Sequence, residues 1–156
     1  MGAWSAHGSH GGATALQKRS PAQLFALLFG VILAGAGIIG FLYSSDFGSP
    51  GEVHAVLGIL DVNGWHNLVH IVTGALGLAT AGSYLYSRNY AYGLGAVYVV
   101  VATWGFIVGG GGTILGFLPV NAEDNVLHLL IGISGVGAGV ATPAEPAPST
   151  MPRAGA

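Results

Sequence analysis

Four side chains carry the densest candidate chemistry in this sequence: His66 with His70, and Asp124 with His128. Each pair is spaced i, i+4, so in a helix its two members share one face. Three imidazoles and a carboxylate converging from two neighbouring helices make a sensible tetrahedral shell for zinc or another divalent metal. Asn67 and Asn125 beside them could fix the ring tautomers from outside that shell. Glu52, His54 and Asp61, in the segment before the first pair, could cap or feed it. A second chemistry uses only His70 and His128, as the two axial ligands of a haem. The segments flanking them offer no Lys or Arg to neutralise propionates, which counts against it. A third reading needs no ligand, because an ionisable ring two turns inside a membrane helix is costly unless paired, and these rings could pair with each other or with the asparagines. Asn63 and Asn121 also read as N-caps. Asp124 is then the N3 partner of a capping-box-like turn, favoured by the positive end of the helix dipole.

The elements that must position these groups announce themselves by repetition. Shifting the chain by 58 residues lays Gly58, Leu60, Val62, Asn63, Asn67, His70, Gly74 and Gly77 on Gly116, Leu118, Val120, Asn121, Asn125, His128, Gly132 and Gly135. Composition alone would give about two identities in such a window, so the pattern reads as a duplicated helical hairpin. A two-span unit re-enters the bilayer in the same direction each time, which relates the copies by an axis along the membrane normal. Asn63, Asn67, His70, Gly74, Gly77 and Ala81 follow the alternating 4, 3 spacing of a packed seam. Asn121, Asn125, His128, Gly132, Gly135 and Gly139 repeat it. Small residues at seam positions let backbones approach closely in lipid. The expectation is that spans two and four face each other along this stripe.

Composition sets the solvent. Of 156 residues, 52% are hydrophobic and only 6% charged, where a soluble domain needs about a quarter to cover its surface. The absence of cysteine excludes disulfides, thiolate metal sites and thiol nucleophiles. Four Lys and Arg and a net charge of -2 give no footprint for nucleic acid. Four largely apolar stretches approach the roughly 20 apolar residues that cross a bilayer: about Pro21 to Tyr43, Gly64 to Tyr86, Tyr90 to Val108 and Ala122 to Ala141, the last with Glu123 and Asp124 in its first turn. Lys18, Arg19, Arg88 and Arg153 all fall on one side of this topology, and Asp46, Glu52, Asp61, Glu123 and Asp124 on the other. Basic residues stay cytoplasmic during insertion, so both termini are expected inside. Residues 1–20, which include His7 and His10, and the proline-rich residues 143–156 read as disordered tails. The fold class expected is all-α: a four-helix transmembrane bundle built from two duplicated helical hairpins.

The run Trp65-His66-Asn67-Leu-Val-His70 followed by Thr73-Gly74, and Asn125-Val-Leu-His128 followed by Gly132, give the chain a family likeness. It resembles the bacterial membrane-protein family catalogued as domain of unknown function 4383, four-span proteins seen mainly in actinobacteria and cyanobacteria. The likeness runs from roughly Pro21 to Ala141. It implies a four-helix membrane fold, in a bacterial plasma membrane or a thylakoid or other internal membrane, and no established activity, cofactor or catalytic residue. No set of acid, base and nucleophile falls within the spans, so the expected role is non-enzymatic: a small structural or accessory membrane subunit. The alternative is a metal- or haem-binding redox or sensory protein using the histidine cluster at the outer face. Expected partners are the lipid bilayer and other membrane proteins or further copies of the chain. Solute transport fits least, because four spans leave little room for a pathway and the charged groups lie near their ends.

Overall fold

A computed structural model describes residues 19–49 and 52–144. The expectation of disordered tails therefore falls almost wholly outside the described residues. Among the described residues four helices follow one another: α1 (Pro21–Gly40), α2 (Gly64–Thr80), α3 (Tyr84–Val108) and α4 (Ala122–Val140). Two small antiparallel hairpins, which the sequence reading does not anticipate, precede α2 and α4. They are β1 (His54–Val56) with β2 (Leu60–Val62), and β3 (Gly112–Ile114) with β4 (Leu118–Val120). The chain is thus mostly helical but not purely so. The turn between the second and third helices also falls earlier than expected, which moves Tyr84 and Tyr86 into α3.

Each helix begins at a side chain that satisfies an orphan backbone donor. Ser20 opens α1 with a full capping box, its hydroxyl accepting from Gln23 N–H while the Gln23 side chain accepts from Ser20 N–H, and Pro21 fills the first turn. Ser83 caps α3. Asn63 and Asn121 cap α2 and α4 as expected, accepting from His66 N–H and Asp124 N–H at 2.9 Å each. Ser20, the last residue of the expected N-terminal tail, is thereby part of α1's start.

The two hairpins match position for position. Leu57 and Leu115 hold φ of 54° and 55°, each followed by a glycine at positive φ, Gly58 and Gly116. They are also clasped reciprocally: Asn63 Nδ2 donates to Phe117 O and Asn121 Nδ2 donates to Ile59 O, both at 2.6 Å. Phe117 lies 58 residues after Ile59, so the two bonds are equivalents across a local two-fold.

The glycine stripes do not do what the sequence reading expects. A Cβ on Gly74 would lie 2.8 Å from Gly30 O, and one on Gly30 would lie 2.8 Å from Leu78 N. In the second half a Cβ on Gly132 would lie 2.8 Å from Val99 N, and one on Gly95 2.7 Å from Val136 N. The stripe therefore presses α2 against α1 and α4 against α3, while α2 and α4 barely touch as helices. The physical reason lies in α1 and α3, which carry their own small residues at matching heights, Gly30 and Gly37 in one and Gly95 and Ala102 in the other. Backbone-close packing needs a small face on both sides, and each hairpin contains both of its own. The two tight pairs then meet through Phe25, Leu33, Ala91, Leu94 and Tyr98, which form the shared core between α1 and α3.

Candidate functional site

α2 and α4 are held apart along most of their length, yet their first turns come together because the clasped hairpins join them there. His66 and His70, one turn apart on α2, stand with ring centroids 4.5 Å apart. His128 reaches in from α4, 5.9 Å from His66 and 6.1 Å from His70. The ligating nitrogens of the three rings all lie within 4.8 Å of one another. Ligands about 2.0–2.1 Å from a tetrahedral centre sit roughly 3.4 Å apart, so shifts of about an ångström close the group on one ion.

Two features prepare these rings for a ligand. His66 Nδ1 lies 2.8 Å from Asp61 O. A carbonyl can only accept, so Nδ1 carries the proton and Nε2 keeps its lone pair, the arrangement by which metal-bound histidines are oriented. His128 is only 6% exposed, and its Nδ1 has no hydrogen-bond partner. No hydrogen bond joins the three rings, and Asn67 spends its amide on Ser44 O at 2.8 Å. Mutual pairing, the ligand-free reading of the sequence, is therefore not how the described rings are satisfied.

Asp124, the fourth residue of the expected shell, lies outside the three-ring group. It is 4% exposed, and its Oδ2 accepts from Asp61 N–H at 2.9 Å while its own N–H goes to Asn121. Its side chain thus ties the first hairpin to α4 instead of reaching back to the cap. His54 stays at the surface, 3.6 Å from Glu52. Sequence reasoning missed Tyr98, whose ring meets His128 edge-on at 5.1 Å and whose buried hydroxyl makes no hydrogen bond. Its signal was available: a tyrosine in the middle of the aliphatic run from Gly93 to Ala102, away from the aromatic residues nearer the span's ends, carrying a polar tip that lipid cannot satisfy.

Two spaces adjoin the rings. A small one of about 70 Å³ is lined by His66, His70, His128, Tyr98 and Pro119 among others. A half-open cleft of about 410 Å³ also borders His66 and His70, and Asp124 belongs to its lining. Sites for drug-sized molecules run to about 300–1,000 Å³, so the space that includes both His70 and His128 suits an ion with a water and not a porphyrin. The axial-pair reading of the sequence does not fit this geometry.

Fold and site together define a mostly helical protein which, among the described residues, has two helices, α1 and α3, long and apolar enough to cross a membrane, and a three-histidine cluster at one end. The family model described as Domain of unknown function (DUF4383) matches residues 23–141, and the chain belongs to that family. No curated protein and no solved structure matches it.

Proposed function

We propose that this chain is a four-span integral membrane protein, made of two copies of one helical unit, whose halves are locked together at the outer end by a divalent metal of the zinc type held by His66, His70 and His128. Its role is structural or accessory, beside other membrane proteins or further copies of itself, in a bacterial plasma membrane. Support for four spans comes from the faces turned outward on every helix: Leu28 and Ile38 on α1, Val72 and Leu76 on α2, Val97 and Ile107 on α3, Leu130 and Ile133 on α4 are all exposed. A soluble bundle puts charge there. α2 and α4, with 17 and 19 residues, reach about 26 and 28 Å, and the hairpins complete their outer ends. Arg19 and Arg88 sit at the opposite end, donating to Ala81 O and Thr142 O, which favours that end as cytoplasmic.

One observation carries the metal reading: three imidazoles from two helices within ligand distance of one another, one with its tautomer fixed and another buried with an unsatisfied nitrogen. Elemental analysis of detergent-purified protein tests it. One equivalent of metal per chain is expected, lost in His70→Ala and His128→Ala. A metal-free sample of undiminished thermal stability, or one with a porphyrin absorption band, overturns it.

A further inference from the structure

The half-open cleft beside the histidines is not used by the metal reading, and its lining is unusual for a packing defect. Ala36, Ile39 and Tyr43 of the α1 side form one wall and Leu57 and Leu60 of the first hairpin the other, all apolar but for the Tyr43 hydroxyl. His66, His70 and Asp124 complete the lining, three polar groups in an otherwise hydrocarbon surface. The volume of about 410 Å³ falls within the range of small-molecule sites, which are typically apolar with a few convergent polar groups.

We infer that this cleft binds a neutral, lipid-soluble molecule whose ring-shaped head carries hydroxyl or carbonyl oxygens, that is, a ligand of the quinol and quinone class. The head is chosen by charge. No Lys or Arg lines the cleft, so a carboxylate or phosphate head would enter it with no counter-ion. A cationic head would have to shed its water in an apolar cleft for one carboxyl group, whose Oδ2 is already bonded to Asp61 N–H. A hydroxyl or carbonyl head has no such cost: the other carboxyl oxygen of Asp124 can accept, a ring N–H of His70 can donate, and the Tyr43 ring offers a flat surface in the lining. The tail is chosen by position, since the exposed Ala36 and Ile39 belong to the outward face of a helix apolar enough to lie in lipid. The inference does not require the metal, although His66 and His70 border both spaces.

The test uses the full chain in nanodiscs, metal-loaded and metal-stripped, titrated with decyl-benzoquinone, its quinol, decanoate and decylamine. The quinone and quinol should bind about tenfold or more tightly than the two charged decyl compounds. Ala36→Phe, which places a ring in the cleft from an exposed position, should weaken quinone binding by about tenfold. Asp124→Asn should weaken the quinol several-fold more than the quinone, because it exchanges an acceptor for a donor facing the hydroxyl. Ile39→Trp fills the same space and serves if Ala36→Phe does not fold. Equal binding of decanoate or decylamine, or quinone binding indifferent to both cleft-filling variants, overturns the inference. Metal content measured on the same samples keeps the two readings apart: quinone binding by a chain that never takes up metal refutes only the metal centre, and a metal-loaded chain that ignores quinone refutes only the cleft.

Discussion

Gly40 ends α1 against Asn67, the residue between the two α2 histidines, and the contact is so close that an alanine there has a calculable effect. A Cβ added at Gly40 would lie 2.6 Å from Asn67 Cγ and 3.1 Å from its Nδ2. Ordinary contact begins near 3.4 Å, so the amide carbon must retreat by about 0.8 Å. It has nowhere to go cheaply: Asn67 is 1% exposed, and its Nδ2 donates to Ser44 O at 2.8 Å. Breaking that buried bond costs about 1–3 kcal/mol, and overpacking a further 1–3. The helix preference of alanine over glycine returns at most about 1. Gly40→Ala should therefore destabilise by about 3 kcal/mol, lowering the melting temperature in detergent by on the order of 10 °C. Because Asn67 shares a turn with His66 and His70, metal affinity should fall as well. The decisive arm is the double variant Gly40→Ala with Asn67→Ala, which removes the obstructed group and should cost clearly less than the two single changes combined. A melting temperature unmoved by Gly40→Ala, or strict additivity in the double variant, would refute the reasoning. Gly105 and Asn125 repeat the close contact in the second half, where the buried Asn125 Oδ1 has no hydrogen-bond partner, so Gly105→Ala should cost the overpacking share of about 1–3 kcal/mol.

Two further expectations concern the end that carries the hairpins. Asn63→Asp keeps the Oδ1 that caps α2 but replaces the donor facing Phe117 O with an oxygen; chemical denaturation should show a loss of about 2–4 kcal/mol, whereas a residue that only capped would lose nothing or gain. In the segment before the first hairpin, backbone N–H groups of Glu52 and Gly48 hold the Asp46 carboxyl below its ordinary value of 3.8. A depressed carboxyl stabilises fully above its unfolded value and loses that contribution as pH falls through the lower folded one. Trp65 fluorescence reads this segment, since its Nε1 donates to Phe47 O at 2.9 Å; the signal should hold through pH 3.8 and change only below it, and in Asp46→Asn no such acid step should remain.

The helices and the three histidines were legible because their signals are local and periodic. Asn63 and Asn121 mark starts, and His66, His70 and His128 keep helical spacing from them. The hairpins were not legible, because three-residue strands are too short to show alternation, and the turns that make them are built on leucines at positive φ, a position where propensity expects glycine or asparagine. The glycine stripe was read correctly as a close-packing face and assigned the wrong neighbour. Spacing along one helix says which side is small; only the matching glycines of α1 and α3 decide what it meets. Asp124 shows the same limit, since i, i+4 spacing puts it on the face of His128 but cannot reveal that Asp61 N–H waits there.

That last pairing explains why a two-fold scaffold carries an asymmetric site. Position 66 and position 124 are equivalents, one a histidine and the other an aspartate. Asp124 is satisfied by Asp61 N–H from the opposite hairpin. The equivalent donor for position 66 would come from residue 119, and residue 119 is proline, which has none. A carboxylate at position 66 would thus be buried facing a backbone that cannot answer it, at a cost of several kcal/mol. An imidazole at that position avoids the difficulty, because it brings its own proton and finds the acceptor Asp61 O within its own half. Pro119 instead becomes part of the wall of the small cavity beside His66 and His128. The choice of proline in one hairpin and aspartate in the other therefore decides which half of the molecule contributes two rings and which contributes one, and it leaves three imidazoles, rather than two imidazole–carboxylate pairs, at the point where the halves meet.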